Sequence, residues 1–320
     1  MDNSTIDRGQ PRLFAGVELG GTKCVCTLAS GPGEVRDQRT IATTVPGETL
    51  PAIKTVLEGW ARAPGFCGLG IAAFGPLQLD PDAEGYGRVR ATNKPGWEGA
   101  DLIGPLRSAF AVPIGFDTDV NGAALAEIRW GSGRGLEDFA YVTVGTGVGA
   151  GLIVHGRPTR GFGHSEIGHI RVPRLDGDDL PSVCTFHPDC VEGLASGSAL
   201  HARLDGRSLS DVAADDPVWE PVVHCLAVML HALACSAGPM RIAMGGGVLA
   251  GQPHLLPRIG ARLEESLAGY MKLPDGVDYV TAPELGTMAG PLGSIALAMD
   301  AVEAVAEKQP TAFQAVGARS

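Results

Sequence analysis

The chain lacks an uninterrupted apolar run of the roughly 20 residues needed to cross a bilayer, so no membrane partner is expected. Its first residues, Met1 to Arg8, lack the basic-then-apolar order of a secretory signal, which makes the cytoplasm the expected compartment. Positive charge is scarce: 25 Lys and Arg stand against 36 Asp and Glu, a formal net charge of −11. That balance argues against a nucleic-acid partner, which requires clustered Lys and Arg. A nucleotide stays possible, because backbone N–H groups, helix N-termini and a metal ion hold phosphates without a basic surface. The seven cysteines are an odd number, and without an export signal they read as reduced thiols. Also missing are the spacings of the dinucleotide fingerprint G-x-G-x-x-G and of the P-loop G-x-x-x-x-G-K-[ST].

What is present fits an α/β protein. The 320 residues suffice for two domains. β-rich stretches flank a Gly-Gly turn in Phe14–Ala29 and a Gly-rich turn in Phe139–Val154, and both read as hairpins. Gly21-Thr22 and Gly145-Thr146 hold corresponding places in these hairpins, a hint of an internal repeat. Pro51–Ala61 carries Ile53, Val56, Leu57 and Trp60 at helical spacing. Helices are expected as well over Ala100–Phe110, Gly122–Trp130, Pro221–Ala237 and Gly290–Ala306, and buried strands over Leu69–Phe74, Val112–Phe116 and Arg241–Met244. This alternation favours mixed sheets covered by helices.

Three glycine-rich turns each follow a strand: Gly20-Gly21-Thr22-Lys23, Gly145-Thr146-Gly147 and Gly245-Gly246-Gly247. Glycine lets a backbone approach a ligand and present N–H donors, although a hairpin turn alone also explains each. Asp119, after the strand ending at Phe116, is placed to act as a general base on a hydroxyl. Alternatively, Asp117 or Asp119 caps the helix that follows. Cys184-x-x-His187-x-x-Cys190 sets three zinc-type ligands on one loop, with His164 or His169 as the nearest fourth. The other cysteines read as small buried hydrophobes. Trp97 is open to two readings, a wall of a binding site or a core residue closing a loop.

In combination, Glu18–Lys23, Ala73–Pro76, Asn93–Trp97, Asp117–Asn121, Thr143–Gly149, Glu166–Ile170, Cys184–Cys190 and Gly245–Val248 resemble the ROK family of sugar kinases, in particular its bacterial fructokinase branch, over about residues 14–300. The resemblance implies an actin-like (ribonuclease H-like) two-domain kinase fold with a central cleft. Its parts would be a disordered lead-in 1–12, an N-terminal α/β domain 13–120 completed by helix 290–306, a C-terminal α/β domain 121–289 with a zinc loop 169–190, and a disordered tail 308–320.

The function implied is ATP- and Mg²⁺-dependent phosphorylation of a hexose, D-fructose to fructose 6-phosphate, by a homodimer. Asp119 matches the catalytic base. Asn93, Asn121, Glu166 and His169 match sugar-side positions. ATP would be held by Gly20, Gly21, Thr22, Lys23, Gly145, Thr146, Gly147 and Ser198, with Gly245, Gly246, Gly247, Val248 and Leu249 near the adenosine. His169, Cys184, His187 and Cys190 match ligands of a structural Zn²⁺. Many family members have Asp where Glu18 stands near phosphates and magnesium, and a Cys where His187 stands; both departures resemble the fructokinase branch. The alternatives are a kinase for glucose, mannose or an N-acetylated amino sugar, and a sugar-responsive regulator. The regulators of the family carry an added helix-turn-helix before the first strand, and here about a dozen residues precede it.

Overall fold

A computed structural model describes residues 11–92, 94–276 and 278–307. The expectations for 1–10, for the tail 308–320 and for Asn93 fall outside the described residues.

Among the described residues, two five-stranded sheets form the frame, and they share one topology. The first contains β1 (Phe14–Leu19), β2 (Lys23–Ala29), β3 (Val35–Ala42), β4 (Leu69–Ala73) and β5 (Ile114–Thr118), in the order β3-β2-β1-β4-β5. The second contains β6 (Phe139–Val144), β7 (Val148–Val154), β8 (Arg157–Pro158), β9 (Ile242–Gly245) and β10 (Val280–Thr281), in the order β10-β9-β6-β7-β8. In each, three antiparallel strands open the sheet and the fourth returns parallel to the first. Gly21-Thr22 and Gly145-Thr146 therefore occupy the same turn of two repeats.

Helices α1 (Pro46–Arg62), α2 (Gly104–Ala109), α3 (Asp119–Trp130), α4 (Val191–Ala195), α5 (Gly197–Leu204), α6 (Trp219–Ser236), α7 (Gly247–Gly251), α8 (Leu255–Leu267) and α9 (Ala289–Glu307) cover the sheets. Helix α2 is shorter than expected because the Asp101 carboxylate accepts from the N–H groups of Ile103 and Gly104, at 3.2 and 2.8 Å, and turns the chain first. Trp97 proves to be core: it is fully buried, edge-on to Phe74, with its indole N–H on the Thr44 carbonyl at 2.7 Å. Two helical segments, Trp219–Ser236 and Gly286–Glu307, do have the length and apolarity to cross a bilayer. Their apolar residues are instead the packed interior of this fold.

A row of glycines fixes the layer that positions the site. Gly16, Gly70 and Gly115 stand in register across β1, β4 and β5. A Cβ at these positions would lie 2.1 Å from Ser294 Oγ, 1.8 Å from the Ser294 carbonyl and 2.1 Å from the Leu297 carbonyl. Helix α9 thus lies directly on the backbone of the first sheet. It meets α3 just as closely, since a Cβ on Gly293 would come within 2.3 Å of the Gly122 carbonyl carbon. On its other side α3 packs against β7, where Gly151 leaves room for the Val120 carbonyl. Helix α3 is therefore wedged between the sheets, and its first residue is Asp119.

Candidate active site

The carboxyl ends of β1, β4 and β5 point toward those of β6 and β9, the place where α/β sheets bind ligands. Between them runs a cleft of about 580 Å³ whose walls include Gly21, Thr22, Gly75, Asp119, Gly145, Thr146, Gly147, Glu166, His169 and Glu192.

Backbone bonds shape both hairpin turns. In the first, Gly20 N–H donates to the Lys23 carbonyl at 3.0 Å, while Thr43 closes over it through its hydroxyl on the Gly20 carbonyl at 2.9 Å. The Lys94 ammonium reaches the Gly21 carbonyl and lies 5.6 Å over the Phe74 ring. In the second, Gly145 N–H donates to the Gly147 carbonyl at 2.9 Å, Gly197 N–H to the Gly145 carbonyl at 2.7 Å, and Ser198 Oγ to the Thr146 carbonyl at 2.9 Å. The third turn lies beside the second because β9 pairs with β6, Gly245 opposite Thr143. Gly246 has φ +91°, and a Cβ there would strike the Val144 backbone.

Thr118, between the two aspartates, is the cap: its side chain accepts from the Asn121 N–H at 3.1 Å. Asp119 is left to face the cleft, half-buried, with one oxygen on the Val120 N–H at 2.9 Å. Burial raises its pKa to about 6. Glu18, at the end of β1, is raised to about 7 by burial and then by the charge of Asp119, against the opposing Lys23. Glu166 is raised to about 7 by burial and then by Glu192 and Asp119. Such a concentration of carboxylates with raised pKa values marks a working site.

His169, Cys184, His187 and Cys190 converge, with ligand atoms all within 4.8 Å of one another. The Nδ1 of His169 lies 3.8 Å from both sulfurs, and His187 Nδ1 lies 3.7 Å from Cys184 Sγ. A tetrahedral Zn²⁺ with bonds of about 2.0–2.3 Å places its donors roughly 3.5 Å apart, so two thiols and two imidazoles fit that ion. His164, the other candidate for fourth ligand, points elsewhere: its Nε2 accepts from Leu77 N–H at 3.0 Å.

Some expected contacts are not formed by the cleft walls. Asn121 is buried beneath the site, its amide donating to Asp117 at 2.8 Å. Val248 and Leu249 belong to the core of the second sheet's layer, because the short α7 turns them inward. Glu192, not anticipated from its surroundings in sequence, is in the wall. Its one signal is position: a carboxylate two residues after the last thiol ligand, in the first turn of α4.

The profile of the ROK family matches residues 14–301. A fructokinase from Pediococcus pentosaceus is 37% identical over 291 residues, 91% of this chain and 99% of that protein. A fructokinase from Zymomonas mobilis is 36% identical over 301 residues, 92% and 99% of the two. Among solved structures, a ROK family glucokinase from Streptomyces griseus, in complex with glucose and AMPPNP, superposes with a TM-score of 0.73 at 25% identity, covering 90% of this chain and 99% of its own.

Proposed function

Because this chain belongs to the ROK family, we propose that it transfers the γ-phosphoryl group of ATP to a hexose hydroxyl, with D-fructose as substrate and fructose 6-phosphate as product. The observation that carries the reading is the place of Asp119, in a cleft wall that also contains both glycine hairpins. The fructokinases at 36–37% identity over nearly the whole chain support fructose as the acceptor.

The hairpins Gly20–Lys23 and Gly145–Gly147, with Ser198 beside the second, hold the phosphates through backbone N–H groups. Gly245–Gly247 closes the nucleotide side. Asp119 takes the proton of the attacking hydroxyl as that oxygen meets phosphorus, and its pKa near 6 keeps it ionised at neutral pH. Phosphoryl transfer asks little covalent chemistry of the protein, so positioning and charge stabilisation carry the rate. Glu18, whose pKa is raised by burial and then by the charge of Asp119, and Asp119 itself suit a hard cation such as Mg²⁺, which when bound would neutralise phosphate charge. Glu166, His169 and Glu192 bind sugar hydroxyls. His169, Cys184, His187 and Cys190 hold a structural Zn²⁺ that fixes the His169 ring for that purpose. The lobes that close on the substrates are 13–120 with 290–306, and 121–289, in a cytoplasmic homodimer whose state light scattering measures.

The S. griseus glucokinase fold supports a second acceptor reading, an aldohexose. A coupled spectrophotometric assay with ATP against fructose, glucose, mannose and N-acetylated amino sugars decides. Fructose is expected to give the highest kcat/KM. A higher value for another sugar overturns the fructose assignment, and turnover of none overturns the kinase reading.

A further inference from the structure

One buried charge has no part in the chemistry above. Asp117 ends β5, two residues before the base, and is fully buried. Its Oδ1 accepts from the Thr118 N–H at 2.7 Å and from the Asn121 amide at 2.8 Å. Its Oδ2 accepts from the Arg160 guanidinium at 2.6 Å. Arg160 comes from the other sheet: it stands two residues beyond β8, at the start of the segment that carries His164 and Glu166 into the cleft. A second bond ties this segment to the first half of the chain, the 3.0 Å contact from Leu77 N–H to His164. Gly75 allows that approach, since a Cβ there would lie 2.9 Å from the His164 ring.

We propose that Arg160 is a positioning residue for phosphoryl transfer, whose ion pair with Asp117 sets the sugar-side segment 160–166 and the base Asp119 in fixed relation. The inference rests on the kinase reading and adds to it the link between the two walls. The physics is asymmetric. The Arg160 side chain is 43% exposed, whereas that of Asp117 is fully buried. Removing Arg160 leaves an unpaired charge in the interior, which a protein resolves by moving or protonating the group. The Asp117 carboxylate also holds Thr118 and Asn121, the residues on either side of Asp119–Val120, so any shift of it passes to the base. A misplacement of about 1 Å at a reacting centre costs on the order of 100-fold in rate.

A double-mutant cycle on the full chain tests this, with Arg160→Ala, Asp117→Asn and the pair. Arg160→Ala is expected to lower kcat/KM for the hexose by about 100-fold, leaving KM for ATP unchanged because the hairpins are untouched. Arg160→Lys should recover part of the loss. In the Asp117→Asn background, Arg160→Ala should cost no more than about twofold, since contacting residues are non-additive. Hexose kcat/KM of Arg160→Ala at the wild-type value, or losses that simply multiply in the pair, overturns the proposal. Hydrogen exchange supplies a readout independent of turnover, and Arg160→Gln replaces the alanine variant if that fails to fold. Amides of 160–166 and of 117–121 should exchange faster together, with β6–β7 unchanged, and unchanged exchange at both segments overturns the coupling. A wild-type protein inactive on every hexose refutes the kinase reading instead, and the exchange experiment then still decides whether the ion pair joins the two segments.

Discussion

The Nε2 of His169 lies 3.8 Å from the Glu192 carboxylate, while the Nδ1 of the same ring faces the sulfurs of Cys184 and Cys190. Glu192 accepts with its second oxygen from the Val148 N–H, at 3.1 Å, at the edge of the second hairpin. One carboxylate in the cleft wall therefore touches both the metal-capable corner and the second glycine hairpin. Glu192→Gln keeps the size and the acceptor for Val148 but removes the charge. It is expected to raise KM for the hexose by about tenfold, the lower range for an altered partner of a metal-bound histidine, while zinc content by elemental analysis stays at the wild-type level. Loss of zinc with unchanged KM would place Glu192 in the metal site and not in sugar binding.

Zinc removal should disturb the cleft more than the loop. Arg174 donates to the carbonyls of Asp178, Leu180 and Pro188, at 3.1, 2.6 and 2.8 Å. Arg203, almost fully buried, forks onto both oxygens of Asp178 at 2.6 and 2.9 Å. These arginines hold residues 174–188 without a metal. After chelation, or in Cys190→Ser, hexose KM should rise by about tenfold or more, while far-UV circular dichroism and KM for ATP are retained. Collapse of the folded signal on chelation would show that the metal, and not the arginines, supports the loop.

The hairpins and the helix behind Asp119 were legible in sequence because a β-rich run broken by Gly-Gly has few other solutions. Strand β3 was not anticipated, since Arg36, Gln38 and Arg39 leave it no apolar run; they are exposed residues of an edge strand. Helix α8 was not anticipated either, although Leu255, Ile259, Leu263 and Leu267 recur at four-residue intervals, a period that marks a helix. Proximity along a motif was a poor guide to proximity in space. Asn121 and Leu249 sit inside recognisable motifs yet turn away from the cleft, while Arg160 meets Asp117 across 43 positions of chain. No local pattern encodes such a contact, because it depends on how the sheets come together.

Protonation of Asp119 should control the acid limb of the rate. Its pKa is raised to about 6 by burial, so kcat/KM for the hexose is expected to climb through pH 6 to a plateau, the base being active only when ionised. Asp119→Asn should lower kcat by about 10²–10⁴-fold with KM for ATP unchanged. Stability gives the opposite sign. A carboxyl whose folded pKa exceeds its unfolded value near 3.9 favours folding when protonated and loses that contribution as pH rises through 6. Asp119→Asn should therefore be more stable than the wild type at pH 8 and gain nothing at pH 4, measured by urea titration. An acid limb that persists in a variant with residual activity would assign the titration to another group.

The glycine row under α9 makes the most direct packing prediction. In Gly70→Ala the new methyl would lie 1.8 Å from the Ser294 carbonyl and 2.7 Å from the Ala298 nitrogen, both backbone atoms that cannot rotate away. Helix α9 must lift from β4, and α3 with it, because Gly122 and Gly293 hold the two helices in contact. Overpacking of this kind costs about 1–3 kcal/mol or more, and the displaced α3 carries Asp119. Gly70→Ala is expected to lose stability by at least that amount and to lower kcat more than KM for ATP. Gly31→Ala is the control: nothing lies within 4 Å of a Cβ at that turn, so its stability should stay within about 0.5 kcal/mol of the wild type. Equal stabilities for the two variants in urea would mean that α9 does not rest on the sheet as closely as the glycine row requires.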